Sequence, residues 1–291
     1  MAQFEIKDGV AIIPEGTTEI GEDTFYNCSS LESIIIPESV EEIGECAFYN
    51  CESLKSITLP ESVTKIGDNA FGSCTSLESI TLPESVASIG WYAFTDCTSL
   101  KNVTIPDSVT FLGENAFSGC TSLESVTVSK SVTMIGHYAF NDCSSLKSIM
   151  IPESVIKIGI GTFRWCASLK NITIPDSVTG IGCYAFMGCT SLEDIIIPKS
   201  VTRIEQNAFK GCTSLKDVTV PDSVREIEEY AFEGCTSLTT VTLPVGVREI
   251  NVTAFCKCPS LSTILVPAKK TDYYKERLPE NLHDKIVEYK A

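Results

Sequence analysis

The stretch PESVTKIGDNAFGSCTSLESITL, residues 60–82, recurs with small changes every 23 residues and decides the fold. Just before it, Ile57 and Leu59 alternate with polar residues, which is the period-two pattern of a half-buried β-strand. Pro60 then ends the strand, because proline lacks the amide hydrogen that a ladder needs. Each repeat therefore predicts one short strand followed by a turn.

The rest of the unit predicts a second apolar surface. We expect Val63 and Ile66 to point inward, and Gly67 suits a tight turn with positive φ. Glu or Asn replaces this glycine in the last three repeats, so the slot does not strictly require glycine. Phe71 and Cys74 have the spacing of one short helical or 3₁₀ turn that buries both side chains.

Cysteine and phenylalanine keep the 23-residue register through the chain. The cysteines are Cys28, Cys51, Cys74, Cys97, Cys120, Cys143, Cys166, Cys189, Cys212, Cys235 and Cys258, and a phenylalanine stands three residues before each. Only Phe4 and Phe111 fall outside the phenylalanine register. Because one repeat cannot enclose its own apolar face, neighbours must stack with their strands parallel and in register. The sequence thus predicts a repeat solenoid of about eleven coils, roughly 50 Å long.

The residue after each repeated leucine supports this stacking. Its sign mostly alternates, in the order Glu32, Lys55, Glu78, Lys101, Glu124, Lys147, Lys170, Glu193 and Lys216. In adjacent parallel strands these side chains become neighbours, so opposite charges would relieve repulsion along the edge.

The unit P-x-S-V-x-x-I-G-x-x-A-F-x-x-C-x-S-L-x-x-I-x-I resembles the BspA-like, Treponema-type leucine-rich repeat over about residues 14–267. This resemblance implies a right-handed, curved leucine-rich-repeat stack with an in-register parallel β-sheet and short helical or 3₁₀ turns. It also implies a role in protein–protein contact, and some bacterial surface members act as adhesins for host matrix proteins. It brings no catalytic residues.

Segments outside the repeats predict caps for the two open ends of the solenoid. Residues 1–13 form the N-terminal cap, a hairpin-like turn around Asp8 and Gly9. Residues 14–267 form the solenoid, and residues 268–291 the C-terminal cap. In this last segment four apolar residues recur at i+4 spacing: Tyr274, Leu278, Leu282 and Ile286. Pro279 interrupts this run, so the segment predicts two short helical pieces.

Charge and hydropathy exclude some classes of partner. The chain has 22 Lys and Arg against 38 Asp and Glu, a net charge of −16, which would repel nucleic acid and anionic lipid. Every apolar run is too short to insert into a membrane. The N-terminus has no basic start followed by an apolar run, so we expect a cytoplasmic protein. A cell-surface or secreted location is the alternative if an export signal has been removed.

The sequence predicts no enzyme, no cofactor and no metal site. A spacing of 23 is not a zinc pattern, and His137 and His283 are the only histidines. We expect the repeated cysteines to be buried, reduced packing residues. Serine precedes every repeated leucine, as Ser76 precedes Leu77, which fits a hydroxyl bonded to local backbone better than a nucleophile.

Two sets of exposed residues are candidates for protein binding. The first is the outward row of the main sheet: Thr58, Thr81, Thr104, Thr127, Met150, Thr173, Thr219 and Thr242. Threonine is also simply a good strand residue, so structural filler is the alternative for this row. Three further positions of the row hold aliphatic residues: Ile35, Ile196 and Leu265.

The second set is aromatic: Trp91, Tyr92, Tyr138, Trp165, Tyr184 and Tyr230. Exposed Tyr and Trp are common in interfaces. The four tyrosines are 46 residues apart, and duplication of a two-repeat unit would explain that spacing without a function. The leading hypothesis is a non-enzymatic module that binds an unidentified protein or peptide along an extended repeat face. An adhesin-like surface protein and a structural spacer are the alternatives.

Overall fold

The computed structural model describes residues 4–290. In chain order its elements are β1 (Ile6–Lys7), β2 (Val10–Ile12), β3 (Glu19–Ile20), β4 (Ser33–Ile35), β5 (Glu42–Ile43), β6 (Ser56–Thr58), β7 (Lys65–Ile66), β8 (Ser79–Thr81), β9 (Ser88–Ile89), β10 (Asn102–Thr104), β11 (Phe111–Leu112), β12 (Ser125–Thr127), β13 (Met134–Ile135), β14 (Ser148–Met150), β15 (Lys157–Ile158), β16 (Asn171–Thr173), β17 (Gly180–Ile181), β18 (Arg203–Ile204), β19 (Asp217–Thr219), β20 (Glu226–Ile227), β21 (Thr240–Thr242), β22 (Glu249–Ile250), β23 (Thr263–Pro267), α1 (Thr271–Lys275), a 3₁₀ helix (Glu280–Lys285) and β24 (Ile286–Tyr289).

These strands build two parallel sheets, which confirms the predicted solenoid. The second sheet consists of the two-residue strands and runs through eleven strands of the described range, from β3 to β22. The main sheet consists of the longer strands and the two-residue β1, and has three sections: β2 and β4 with β1, then β6 to β16, then β19 to β24. Pairing advances by one repeat per strand, as where Val103 lies opposite Val126. The repeat pattern had indicated an inward-pointing apolar pair at the place of the second sheet, not a sheet.

A stack of phenylalanine rings runs through the interior between the sheets. Successive repeat rings are separated by 5.1 Å, as between Phe48 and Phe71, to 5.8 Å, as between Phe140 and Phe163, with nearly parallel planes. Phe4, outside the repeat register, continues the stack at 6.0 Å from Phe25. A buried Phe contributes about 3–5 kcal/mol relative to Ala, so this stack is a large part of the core.

The repeated cysteines are buried and all fourteen cysteines are free, as expected, although Cys28 is only half-buried. Each of the ten that follow donates its S–H to the carbonyl of the phenylalanine in the preceding coil. Cys97 Sγ, for example, lies 3.1 Å from the Phe71 oxygen. Burial raises the pKa of these thiols, as for Cys143.

The prediction of positive φ at Gly67 was wrong, and the reason for glycine there is close packing between coils. A Cβ at Gly67 would stand 2.7 Å from the Glu45 nitrogen of the preceding coil. Where the last repeats carry Glu205 instead, its Oε2 accepts the Cys183 amide hydrogen at 3.0 Å. The slot therefore holds no side chain, a glutamate that binds the neighbouring backbone, or Asn251, whose Oδ1 accepts the amide hydrogen of Thr253 in its own coil at 2.9 Å.

Serine bonding also differs from the expectation. Among the residues described, the serine before each repeated leucine makes no side-chain hydrogen bond to the protein. The bonded hydroxyl belongs to the serine two residues after most of the repeat prolines, as where Ser62 Oγ donates to the Val40 carbonyl at 2.6 Å. This bond joins consecutive coils and satisfies a carbonyl near the turn.

The two ends are closed differently. At the N-terminus β1 and β2 form an antiparallel hairpin across Asp8 and Gly9, and β2 also begins the main sheet. At the C-terminus α1 and the 3₁₀ helix supply two helical pieces, and Tyr274 is buried with its hydroxyl donating to the Pro244 carbonyl. Ile286 does not continue a helix, as the i+4 spacing had suggested. It begins β24, a last strand that pairs with β23, because a strand satisfies the open sheet edge.

Candidate functional site

The outward side of the main sheet, here called the main face, holds the predicted threonine row. Thr58, Thr81, Thr104, Thr127, Met150, Thr173 and Thr219 are exposed, and Thr242 is half-buried. Pairing places neighbours side by side, as with Thr104 and Thr127. Met150 is 77% exposed between threonines. From Thr58 to Thr173 the row is thus a continuous, mostly polar strip that a long partner could follow.

The main face is interrupted at residues 194–197, which form no strand between β16 and β19. Asp194 and Asp217 occupy equivalent slots in consecutive repeats, where the other repeats hold Ser, Asn or Thr. Like charges directly opposite each other destabilise strand pairing, which gives a physical reason for the gap.

A groove of about 780 Å³ lies at this interruption. Its lining includes Ile196, Thr219, Thr242 and Tyr289, with Lys199 as the one cation. Ile196 is 81% exposed, the highest value among the exposed large apolar side chains of the described chain. The groove therefore combines an apolar centre with hydroxyl groups and charges of both signs.

The predicted tyrosines lie in a slot with a left-handed backbone. Tyr92, Tyr138, Tyr184 and Tyr230 have φ of 57°, 56°, 61° and 56°. Asparagine, which tolerates this conformation, fills the slot at Asn69, Asn115 and Asn207. A bulky residue there costs of order 1–2 kcal/mol. The tyrosines are separated by two coils, about 10 Å, so the structure does not bring them together.

These aromatic side chains also pack along the solenoid axis. The Tyr138 ring covers Gly161, and the Trp165 ring covers Gly188, where an added Cβ would meet the rings at 2.2 and 2.3 Å. Trp165 itself has φ 61° and remains exposed. Tyr92 is exposed, whereas Tyr138, Tyr184 and Tyr230 are half-buried. Part of their role is therefore local packing.

Tyr230 belongs to a charged cluster across three coils. The Lys210 Nζ lies 5.2 Å from the centre of the Tyr230 ring. The Glu233 carboxylate forms ion pairs with Lys210 at 2.6 Å and with Lys257 at 2.7 Å. Hydrogen bonds from Lys210 and Lys257 lower the pKa of the Glu233 carboxyl. The cluster is internally satisfied and therefore joins coils.

Sequence reasoning missed the outward side of the second sheet, here called the second face. Phe111 and Met134 lie opposite each other on β11 and β13, and Ile156 lies one residue before β15. They line a cavity of about 380 Å³. The sequence did contain an indication of this face, because Phe111 is one of the two phenylalanines outside the repeat register. Trp91, predicted with the tyrosines, lines a second cavity at this face together with Phe111.

The described residues contain no group of three or more side chains placed to hold a metal ion. Between residues 4 and 290, no helix is both long enough and apolar enough to cross a bilayer.

Three solved bacterial structures are similar to this chain. A leucine-rich repeat protein from Bacteroides ovatus is 28% identical, and the match covers 97% of this chain and 92% of that protein's chain, with a TM-score of 0.56. A leucine rich cell surface protein from Faecalibacterium prausnitzii is 31% identical, with coverage of 91% and 89% and a TM-score of 0.51. The T. pallidum leucine rich repeat protein is 32% identical, with coverage of 66% and 88% and a TM-score of 0.56.

Curated protein sequences give no significant match. The family model for the BspA type leucine rich repeat region matches residues 9–120, 64–180 and 156–278. These matches overlap and together span most of the chain, and they follow the same 23-residue unit that builds the two sheets. The protein therefore belongs to the BspA-type leucine-rich repeat family.

Proposed function

We propose that this protein binds a partner protein or peptide on its main face, around the groove at residues 194–197. The leucine-rich repeat is a fold used for protein–protein interaction, and solenoids present extended binding surfaces. The observation that carries the proposal is the groove itself. Ile196 lies almost fully in solvent where the sheet is interrupted, and threonine hydroxyls extend the surface to both sides.

The left-handed tyrosines support binding rather than a purely structural spacer. A spacer needs a filled core and closed ends, and asparagine would serve the slot at lower backbone cost. Four tyrosines at this position give the solenoid a second row of interface-prone side chains. We place this row as a secondary contact surface.

Partner capture with matched variants tests the main face. The protein would be used as bait in extracts of its native cells, beside Ile196→Glu and a control, Thr202→Glu, which is exposed on the other side of the same coil. A partner that binds wild type and Thr202→Glu but not Ile196→Glu supports the proposal. The same partners on all three proteins would remove the main face as the binding site.

An adhesin-like role at the cell surface is the second candidate function. It is favoured by the relative from Faecalibacterium prausnitzii, described as a cell surface protein and 31% identical over 91% of this chain. The cytoplasmic location expected from the N-terminus remains a prediction. Antibody labelling of intact and lysed native cells separates the two: labelling of intact cells supports the surface role, and labelling only after lysis argues for the cytoplasm.

A further inference from the structure

The second face carries an exposed apolar patch in the middle of the solenoid. Trp91, Met134 and Ile156 are 52%, 55% and 59% exposed, and Phe111 is half-buried between them. The patch continues across neighbouring coils, because β9, β11, β13 and β15 are consecutive strands of one sheet. Other outward positions of this sheet are mostly charged or small: Glu19, Glu42, Lys65, Ser88, Lys157, Gly180, Arg203, Glu226 and Glu249. Contiguous exposed apolar surface of this kind marks interaction sites.

An acidic compartment adjoins the patch on its N-terminal side. This compartment, a cavity of about 450 Å³, is lined by five carboxylates and one ammonium group: Glu19, Glu22, Glu42, Glu45, Asp68 and Lys65. Lys65 Nζ lies 3.5 Å from Glu42, and Asp68 Oδ1 accepts the Trp91 amide hydrogen at 2.7 Å. Glu19, Glu22 and Glu45 are exposed and make no side-chain contact with a cation among the described residues. Negative charge therefore remains available to a partner.

The acidic compartment and the apolar patch form one surface. Phe111 lines both cavities, and Trp91 also lines the acidic one. From Glu19 to Met134 the path crosses five strand spacings, about 24 Å. An extended peptide covers that distance with about seven residues.

We propose that the second face binds an extended segment of a partner protein that carries Lys or Arg at one end and large apolar side chains at the other. The basic end lies against Glu19, Glu22 and Glu45, and the apolar end on Phe111, Met134 and Ile156. The charge complementarity selects this occupant. A second copy of this chain would bring its own carboxylates against the same compartment, and an anionic lipid surface would be repelled.

This site is independent of the main face, so selection from a random octapeptide library is the direct test. Phage-displayed octapeptides that bind wild type would be selected first. Those that also bind a Met134→Ser/Ile156→Ser variant would then be removed, and the remaining peptides sequenced. We expect survivors with basic residues at one end and Leu, Ile, Phe or Trp at the other. Survivors without basic residues, or no enrichment over the depleted pool, would overturn the proposal.

A surviving peptide then gives a quantitative readout. The chain has two tryptophans, so a Trp165→Phe background leaves Trp91 as the fluorescent reporter within the proposed site. In that background, Met134→Ser/Ile156→Ser and, separately, Glu22→Lys/Glu45→Lys should each weaken binding by about tenfold or more. The charge variant should also lose most of the salt dependence. Thr104→Glu on the main face should change the Kd less than about twofold.

Other outcomes contradict the proposal. Equal affinity in the wild type and both variants would place the peptide elsewhere. Binding to phosphatidylserine vesicles that is lost in Met134→Ser/Ile156→Ser would show a lipid site instead. Dimerisation in sedimentation that depends on Met134 and Ile156 would identify a second copy as the occupant. Because the substituted side chains are exposed, the urea midpoint of each variant should equal that of wild type. The apolar and the charge variant test separate halves of the surface.

Discussion

At the scale of the residue, cysteine fills a small apolar space and also donates a hydrogen bond. The Phe71 carbonyl accepts the amide hydrogen of Cys74 at 3.2 Å and the thiol hydrogen of Cys97 at 3.1 Å. Both lone pairs of this buried oxygen are then used. Alanine would fill part of the space but would leave one lone pair without a donor, which explains why the slot holds cysteine in every repeat.

Alkaline pH should destabilise the protein steeply. Burial raises the pKa of Cys212 to about 12 and that of Cys258 to about 11, from an ordinary value of 9.0. Above about pH 9 unfolded thiols lose protons while the buried ones keep them, so the unfolded state binds fewer protons and stability falls as pH rises. Each such thiol contributes a slope of up to about 1.4 kcal/mol per pH unit.

Urea midpoints in reducing buffer between about pH 7 and pH 10 measure this effect. Stability contributed by the neutral thiols should be complete below pH 9 and lost progressively above it. Cys143→Ala is the matched variant, and its slope should be shallower by one proton. A flat midpoint over this range would show that the thiols reach solvent.

At the scale of the element, the main sheet is interrupted where two consecutive coils both hold aspartate in one slot. Replacing Asp194 by Ser restores the residue type found at Ser56 and Ser79 and removes the repulsion from Asp217. We expect residues 194–197 to become a strand that joins β16 to β19, with stability raised by about 0.2–1 kcal/mol.

Amide hydrogen exchange at residues 194–197 checks this expectation, because new ladder bonds protect amides. Asp217→Ser should act similarly from the opposite strand. Asp176→Ser, at an exposed aspartate in a turn outside the strands, should leave exchange unchanged. Unchanged exchange in Asp194→Ser would attribute the gap to another cause. If binding at the groove also needs the interruption, the same variant should weaken it.

Much of each coil could be predicted from its own residues. The strand at Ile57, the turn after Pro60 and the burial of Phe71 follow from alternation, proline chemistry and spacing. The role of Gly67 could not, because it depends on the backbone of the neighbouring coil. Likewise the two-residue strands of the second sheet are too short to show a period, so the patch at Met134 was visible only as an irregularity.

At the scale of the whole molecule, each coil contacts mainly its neighbours, so stability should be close to a sum over coils and interfaces. The charges along the sheet edge show which interface between coils contributes less to stability than its neighbours. Glu124 pairs with Lys147 at 2.5 Å and Glu193 with Lys216 at 2.9 Å, but Lys147 and Lys170 are like charges on consecutive coils. Hydrogen bonds from the paired lysines lower the pKa of Glu124 and Glu193.

Deletion of residues 152–174 removes one coil of 23 residues and should leave a folded solenoid. Ile151 then joins Pro175, the phenylalanine stack passes from Phe140 to Phe186, and Lys147 faces Glu193 in place of Lys170. Circular dichroism should keep the wild-type shape, and the urea m-value should fall in proportion to the surface lost. The urea midpoint should stay near that of wild type, because a favourable edge pair replaces a repulsive one.

A deletion out of register is the control that separates repeat geometry from tolerance of any shortening. Removing residues 152–171 takes out 20 residues and shifts every later side chain relative to the coils before it. A one-residue slip already exchanges the inner and outer sides of a strand, so a three-residue shift cannot keep both sheets and the phenylalanine stack in line. We expect this variant to lose cooperative unfolding. Equal stability of the two deletions would mean that the coils do not depend on register and that they share no continuous interior.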